Sequence, residues 1–117
     1  MPEIHRIRHR SDFEATLRAG KRHRGDGFDV VSRHSPGSPG RVGLVITRRV
    51  GNAVVRNRIR RRLRHAIEAR QMQPNTDHVI IATRRIADLD FTNLRDTLDQ
   101  ALDAGPWQKS LSAKDTE

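Results

Sequence analysis

The segment from Ala53 to about Arg70 most constrains how this chain can fold, because its apolar residues fall on one side of a helix. The spacing is i, i+4, i+8, i+11 and i+12, which is one helical stripe. Its members are Val55, Ile59, Leu63, Ala66 and Ile67. A stripe this narrow can cover one surface only. The sequence therefore predicts a helix that docks on a sheet by one face, with Asn52 as its N-terminal cap.

The rest of this helix is basic, and the chain around it carries no acidic residue from Val30 to Ile67. The whole chain has a net charge of +9, and the same acid-free stretch also holds Arg33 and Arg41. A helix surface of one charge sign repels itself, so it costs stability unless an external anion neutralises it. A guanidinium group matches phosphate with a planar fork of donors. The charge pattern therefore predicts a surface that binds nucleic acid.

Composition excludes several other classes of protein. The chain has no cysteine, so it has no disulfide framework, thiolate nucleophile or zinc ribbon. Its apolar runs are strand-sized and too short to span a membrane, and the N-terminus has no apolar block of a secretory signal. We therefore expect a cytoplasmic protein. A basic helix can also lie on a membrane or in an acidic protein groove, but this stripe is thin and aliphatic and is needed to cover the sheet.

Hydrophobic periodicity and turn residues predict the other elements. Ser11 and Glu14 have capping-box spacing before a helix, and the cluster of Ser, Pro and Gly at 35–40 separates two strands, which we expect to form a hairpin with a long loop. Gly105 and Pro106 are expected to end the last helix. The predicted elements are a helix at 12–19, strands at 28–33 and 41–48, the basic helix at 53–70, a strand at 78–84 and a helix at 90–104.

This order predicts a small two-layer α/β (α+β) sandwich with the sheet on one side and the helices on the other. Residues 1–117 are expected to form a single domain with a structured core of about 6–104, and the N-terminus and the tail after Trp107 are expected to fray.

The run from Arg48 to Arg64 resembles the signature of the bacterial ribonuclease P protein subunit, in which a basic pair and Val-Gly-Asn-Ala-Val precede an Arg-Asn-Arg helix. The strands before and after this motif also follow the order of the family. The resemblance covers about 6–102 and implies a four-stranded mixed sheet with a left-handed β-α-β crossover and a short strand near Lys21–Arg24. It also implies a protein that binds a large catalytic RNA. The complete enzyme then removes the 5′ leader from precursor tRNA, with Mg²⁺ held by the RNA.

The resemblance assigns two sets of site residues. A cleft between the first helix and the sheet would hold the single-stranded leader, although Phe13 and Phe28 would serve equally well as core residues. The expected RNA-binding residues are Arg48, Arg49, Asn52, Arg56, Asn57, Arg58, Arg60, Arg61, Arg62 and Arg64, and the expected cleft residues are Phe13, Leu17, Phe28 and Val31.

No catalytic or metal-binding residue is predicted in the chain itself. A phosphodiesterase of its own would need clustered carboxylates or a paired acid and base. Asp88 and Asp90 suit the start of a helix, and His5 and His9 lack the glutamate of a zinc-protease motif. The other histidines, 23, 34, 65 and 78, are expected at the surface or facing a phosphate group. A non-enzymatic RNA-binding module, such as a small ribosomal protein, is the alternative, and an independent metal nuclease is the weakest hypothesis.

Overall fold

A computed structural model describes the backbone over residues 5–70 and 72–115, and the side chains over residues 6–70 and 72–103. Three consecutive strands separate the first two α-helices, and 3₁₀ turns lie at Arg48–Val50 and Arg84–Asp88. The elements are β1 (His5–Arg6), α1 (Arg10–Ala19), β2 (Lys21–Arg24), β3 (Phe28–His34), β4 (Arg41–Val45), α2 (Ala53–Glu68), β5 (Thr76–Ala82) and α3 (Phe91–Asp115).

The strands form one mixed sheet in the order β1-β4-β5-β3-β2. The parallel pairs are β1 with β4 and β4 with β5, and the antiparallel pairs are β3 with β5 and β2 with β3. The four predicted strands are confirmed, including the short one at Lys21–Arg24, and the two-residue β1 adds a fifth. The parallel pair β4 and β5 is joined through α2, as a β-α-β unit requires; its left hand stays a prediction.

The expected hairpin between β3 and β4 is wrong, because β5 lies between these two strands. Ile80 of β5 pairs with Val30 on one side and with Leu44 on the other. The loop at 35–40 carries turn residues, but it passes the end of β5 instead of folding β4 back on β3. The central position of β5 explains why its residues are buried on both faces.

One face of the sheet carries the main core, under α2 and α3. Successive strand residues alternate between faces, so Phe28, Val30 and Ile80 share this face. The helices contribute apolar side chains that are at most 2% exposed: Ile59, Leu63, Ala66, Ile67, Leu94, Leu98 and Leu102. This packing confirms the predicted inward stripe of α2, and Val55 packs at its edge.

The first helix covers the opposite face, where it packs on β3 and β5. Gly43 of β4 permits the close approach of α1, because a Cβ atom there would lie 2.5 Å from Cε2 of Phe13. Helices therefore pack on both faces of the sheet rather than on one.

Two helix boundaries differ from the sequence-based expectation. Helix α1 begins at Arg10 with His9 as its N-cap, so the predicted capping box of Ser11 and Glu14 is wrong. Glu14 instead accepts a hydrogen bond of 3.2 Å from Nε of Arg10, one turn earlier. Helix α3 continues to Asp115, through the Gly-Pro pair expected to end it. Such a pair lowers the stability of a helix without prohibiting it.

A buried carboxylate joins three elements at one end of the sheet. Asp77 of β5 is 0% exposed and accepts hydrogen bonds from Nη2 of Arg41 at 2.6 Å, from Nη2 of Arg33 at 3.1 Å and from Oγ of Ser38 at 2.7 Å. Burial alone would raise the pKa of Asp77, but these donors outweigh it and lower the pKa to about 2. Arg41 also donates to Asp12 of α1 at 3.2 Å.

Candidate nucleic-acid interface

Helix α2 is oriented by its cap and by its buried stripe. Oδ1 of Asn52 accepts a hydrogen bond of 3.0 Å from the backbone N–H of Val55, which confirms the predicted cap. With the apolar stripe of α2 fixed in the core, the basic side chains of the helix stay exposed or half-buried. The sequence thus determines which face of α2 is left for a partner.

We define the α2 basic surface as the ten RNA-binding residues expected from the sequence. They occupy this helix, its cap and the preceding 3₁₀ turn, and every one of them is exposed or half-buried. Its members are Arg48, Arg49, Asn52, Arg56, Asn57, Arg58, Arg60, Arg61, Arg62 and Arg64.

No arginine of the α2 basic surface forms an ion pair with a carboxylate in the part of the chain that the structure describes. The half-buried arginines elsewhere behave differently. Arg33 and Arg41 both pair with Asp77, and Arg70 pairs with Asp99 and Asp103 of α3. The expectation that Arg33 and Arg41 add to the unopposed charge is therefore wrong, because β5 brings a carboxylate between them.

Two members of the α2 basic surface bind other protein atoms. Nη1 of Arg62 donates to the backbone carbonyl of Leu89 at 3.2 Å, which ties α2 to the segment before α3. Nη1 of Arg60 donates to Oδ1 of Asn57 at 3.3 Å, an exposed contact within the helix. Arg62 thus has a structural contact that its position in the sequence did not indicate.

A cavity of about 220 Å³ lies at the outer edge of β4, between α1 and α2. Phe13, Leu44 and Ile67 form apolar parts of its wall, and Arg60 and Arg64 border it from α2. Such a cavity combines apolar surface with two guanidinium groups. It can therefore hold a group that is flat and apolar next to one that is anionic.

A larger groove of about 880 Å³ lies at the carboxyl ends of β4 and β5. It is lined by Arg48 and Arg49, which the sequence analysis selected, and by Arg84, which it missed. The available signal was the recurrence of Thr-Arg-Arg after an apolar strand, at positions 47–49 and 83–85.

The predicted leader cleft is only partly assembled. Phe13 is half-buried against Gly43 and Leu17 is 37% exposed, so both offer surface on α1. Val31 lies on the face covered by α1 but is 1% exposed. The placement of Phe28 in the cleft is wrong, because it is 0% exposed and belongs to the core on the other face. Adjacent residues of a strand point to opposite faces, so a side chain at position 28 shares the face of Val30 and not that of Val31.

The structure also places the titratable residues. Over the described residues, no group of three or more His, Asp and Glu side chains could hold a metal ion. His9, Asp88 and Asp90 are exposed, and the side chain of His5 lies outside the described residues. The expectation that His78 is at the surface is wrong: it is 1% exposed, and its Nδ1 lies 2.7 Å from Oγ of Ser32.

No helix among the described residues is both long enough and apolar enough to cross a membrane.

Comparison with protein families gives a match to the Ribonuclease P family over residues 1–104, which include the whole sheet and the α2 basic surface. The chain belongs to the ribonuclease P protein family. The family resemblance noted in the sequence is therefore confirmed, and the chain is a subunit of ribonuclease P, which acts in 5′ processing of tRNA. A small ribosomal protein is not favoured.

Curated relatives and solved structures agree with this assignment. The ribonuclease P protein component of Brucella melitensis is 36% identical over 98% of this chain and 89% of that protein. The one from Picosynechococcus is 41% identical over 72% of this chain and 74% of its own length. The RNase P protein from Thermotoga maritima is 27% identical and superposes with a TM-score of 0.75, covering 83% of this chain and 94% of that one. The Staphylococcus aureus RNase P protein, at 23% identity, shares the fold with a TM-score of 0.75 over 86% of this chain and 94% of that one.

Proposed function

We propose that the α2 basic surface binds phosphate groups of the RNase P RNA. The observation that carries this proposal is the absence of any carboxylate partner for its arginines among the described residues. Helix residues three or four apart are neighbours, so guanidinium groups at positions such as 58, 61 and 62 repel one another in the free protein. RNA phosphates would remove this repulsion and accept bidentate hydrogen bonds.

The precursor tRNA would be a second partner of the same complex. Phe13 and Leu17 present apolar surface on α1, and stacking of a base on an aromatic ring stabilises single-strand binding by about 1–3 kcal/mol. The cavity beside Phe13 also carries Arg60 and Arg64, so a base and its phosphate could be held together there. This proposal limits the leader contacts of the predicted cleft to α1, since Phe28 and Val31 offer almost no surface.

The chemistry of cleavage is assigned to the RNA. The described residues do not fit a metal site, because they contain no group of three His, Asp or Glu side chains that could hold an ion. The proposal therefore leaves the Mg²⁺ of the reaction with the RNA and gives this protein the role of an accessory subunit that binds and positions. Its cytoplasmic location is part of the same proposal.

Reconstitution tests the proposed function directly. RNase P RNA from the same organism is transcribed and mixed with precursor tRNA at low Mg²⁺, with and without the purified protein, and release of the leader is followed on a gel. We expect cleavage with both components and none with protein and Mg²⁺ alone. Cleavage by the protein alone would contradict the assignment of chemistry to the RNA. A protein that binds the RNA without stimulating cleavage would instead behave as a simple RNA-binding module.

A further inference from the structure

The chain carries the tripeptide Thr-Arg-Arg twice, each time within two residues of the end of a strand of the parallel pair. The first copy, 47–49, follows β4, and the second, 83–85, follows β5. In the register of the sheet Val45 lies opposite Ile81, so Thr47 and Thr83 come opposite each other two residues later. Each threonine precedes a 3₁₀ turn, and the two turns pack against each other.

The two turns form the walls of the groove of about 880 Å³, which we call the paired-turn groove. Its described lining contains three arginines, two threonines and the small apolar floor of Ile81 and Ala82, with no carboxylate. Neither threonine hydroxyl caps its turn, so both can bind a ligand. No aromatic residue is among the lining residues, so a ligand would be held by hydrogen bonds and charge rather than by stacking.

The arginines of the two copies differ in their partners. Arg85 points away from the groove and pairs with Asp26, with 2.9 Å between Nε and Oδ1. Arg48, Arg49 and Arg84 form no ion pair with any carboxylate in the described part of the chain. Three like charges thus line one groove without a counter-charge from the protein, and this arrangement favours an anion.

We propose that the paired-turn groove binds the phosphate backbone of the RNase P RNA, with Arg84 as a contact residue outside the α2 basic surface. This inference rests on the proposed function. The phosphate backbone fits because guanidinium forks and hydroxyl donors match its oxygens, whereas a base would find no ring to stack on. The catalytic RNA is the occupant because Arg48 and Arg49 belong both to the groove and to the α2 basic surface, so one RNA strand can run from α2 into the groove.

The test compares two neighbouring arginines that differ in where they point. Arg84→Ala and Arg85→Ala remove the same charge from the same exposed turn, but only Arg84 lines the groove. Filter binding of the full-length protein to RNase P RNA is measured over a series of salt concentrations. We expect Arg84→Ala to weaken binding on the order of tenfold and to reduce the magnitude of the salt slope by about 0.7–0.9. Arg85→Ala should stay within about twofold of the wild type and keep its slope, as a residue without a phosphate contact does.

Arg84→Lys provides a second variant that keeps the charge but not the planar fork, and it should recover part of the lost affinity. Equal effects of Arg84→Ala and Arg85→Ala, or no effect of either, would overturn the proposal. A loss of affinity confined to precursor tRNA in the assembled holoenzyme would overturn the choice of partner. Substitutions on α2 distinguish a failure of the proposed function from a failure of the groove proposal. If Arg58→Glu with Arg61→Glu abolishes RNA binding while Arg84→Ala leaves it intact, the proposed function stands and the groove does not bind RNA.

Discussion

At the scale of single residues, Asp77 neutralises the charges of two arginines of the sheet, Arg33 and Arg41. It is the buried carboxylate between two half-buried arginines, one on β3 and one on β4, and it comes from the strand that separates them. Breaking a buried ion pair leaves an uncompensated charge, which costs more than the pair itself contributes. The position of β5 in the sheet therefore also determines which arginines are available to a partner.

We expect Asp77→Asn to lower the free energy of unfolding by about 3 kcal/mol at pH 7, measured by urea denaturation. Asp96→Asn, a change of the same kind at an exposed site next to Arg95, should cost less than about 0.5 kcal/mol.

In the folded protein the pKa of Asp77 is lowered from 3.8 to about 2, so its ionisation stabilises the fold above pH 4. That contribution, about 2 kcal/mol, is lost as the pH falls through 2. The difference between wild type and Asp77→Asn should therefore narrow at low pH, and a constant difference would contradict this origin.

The buried His78 predicts a second pH dependence of stability, at less acidic pH than that of Asp77. Burial, together with the nearby charge of Arg70, lowers the pKa of His78 from 6.5 to about 4. The unfolded chain takes up a proton at higher pH than the folded one, so stability is full above pH 6.5 and falls by about 3 kcal/mol on the way to pH 4. We expect this loss in urea denaturation of the wild type. It should be nearly absent in the double variant Ser32→Ala with His78→Leu, which removes both partners of the buried hydrogen bond. An equal loss in both proteins would assign the effect to another group.

At the scale of elements, the two faces of α2 have different roles. The buried face stabilises the fold, and the exposed face is the one proposed to bind RNA. Leu63→Ala should lower the free energy of unfolding by about 2–5 kcal/mol through a cavity in the core. Arg58→Glu with Arg61→Glu should not lower the melting temperature, since both side chains are exposed and the change removes repulsion between like charges on the helix. The same double variant should weaken binding to RNase P RNA by tenfold or more, on the order expected for several lost phosphate contacts. Thermal melts and filter binding measure the two effects.

The matched control for the α2 test is Arg10→Glu with Arg95→Glu, which makes the same change in net charge at exposed positions outside the α2 basic surface. A similar loss of RNA affinity in this control would show that total charge matters rather than the helix face. Arg62 is unsuitable for the comparison, because its contact with the carbonyl of Leu89 couples binding to stability.

The sequence was sufficient for elements whose pattern is local. The stripe of α2, its Asn52 cap and three of the strands could be predicted from the residues, because periodicity and capping depend on positions close in the chain. The strand at Lys21–Arg24 was expected from the family resemblance alone. Strand order depends on contacts between distant segments, so the insertion of β5 between β3 and β4 was missed. Phe28 is a different case, because strand alternation alone places it on the face of Val30 and opposite Val31, so the two could not line one cleft. The protein contact of Arg62 was not foreseen, because its partner Leu89 lies in the distant segment before α3. Arg84 was not selected, because the groove that it lines forms only when β4 and β5 pair.

At the scale of the whole molecule, the affinity for RNA should depend strongly on salt. If about five or six arginines of the α2 basic surface neutralise phosphates, the logarithm of the affinity should fall against the logarithm of salt concentration with a slope near −4. Titrations with RNase P RNA at several KCl concentrations give this slope directly. A flat response would count against the α2 basic surface as the contact.

The unopposed guanidinium groups of α2 also have a consequence for the protein before it meets its partner. Mutual repulsion along the helix strains the free fold, and dissolved ions weaken that repulsion, with a screening length of about 10 Å at 0.1 M salt. Moderate salt should therefore raise the melting temperature of the isolated subunit, under the same conditions that lower its affinity for RNA. In a cell with too little RNase P RNA, the unbound protein would be less stable than the RNA-bound protein, so assembly would protect it from degradation.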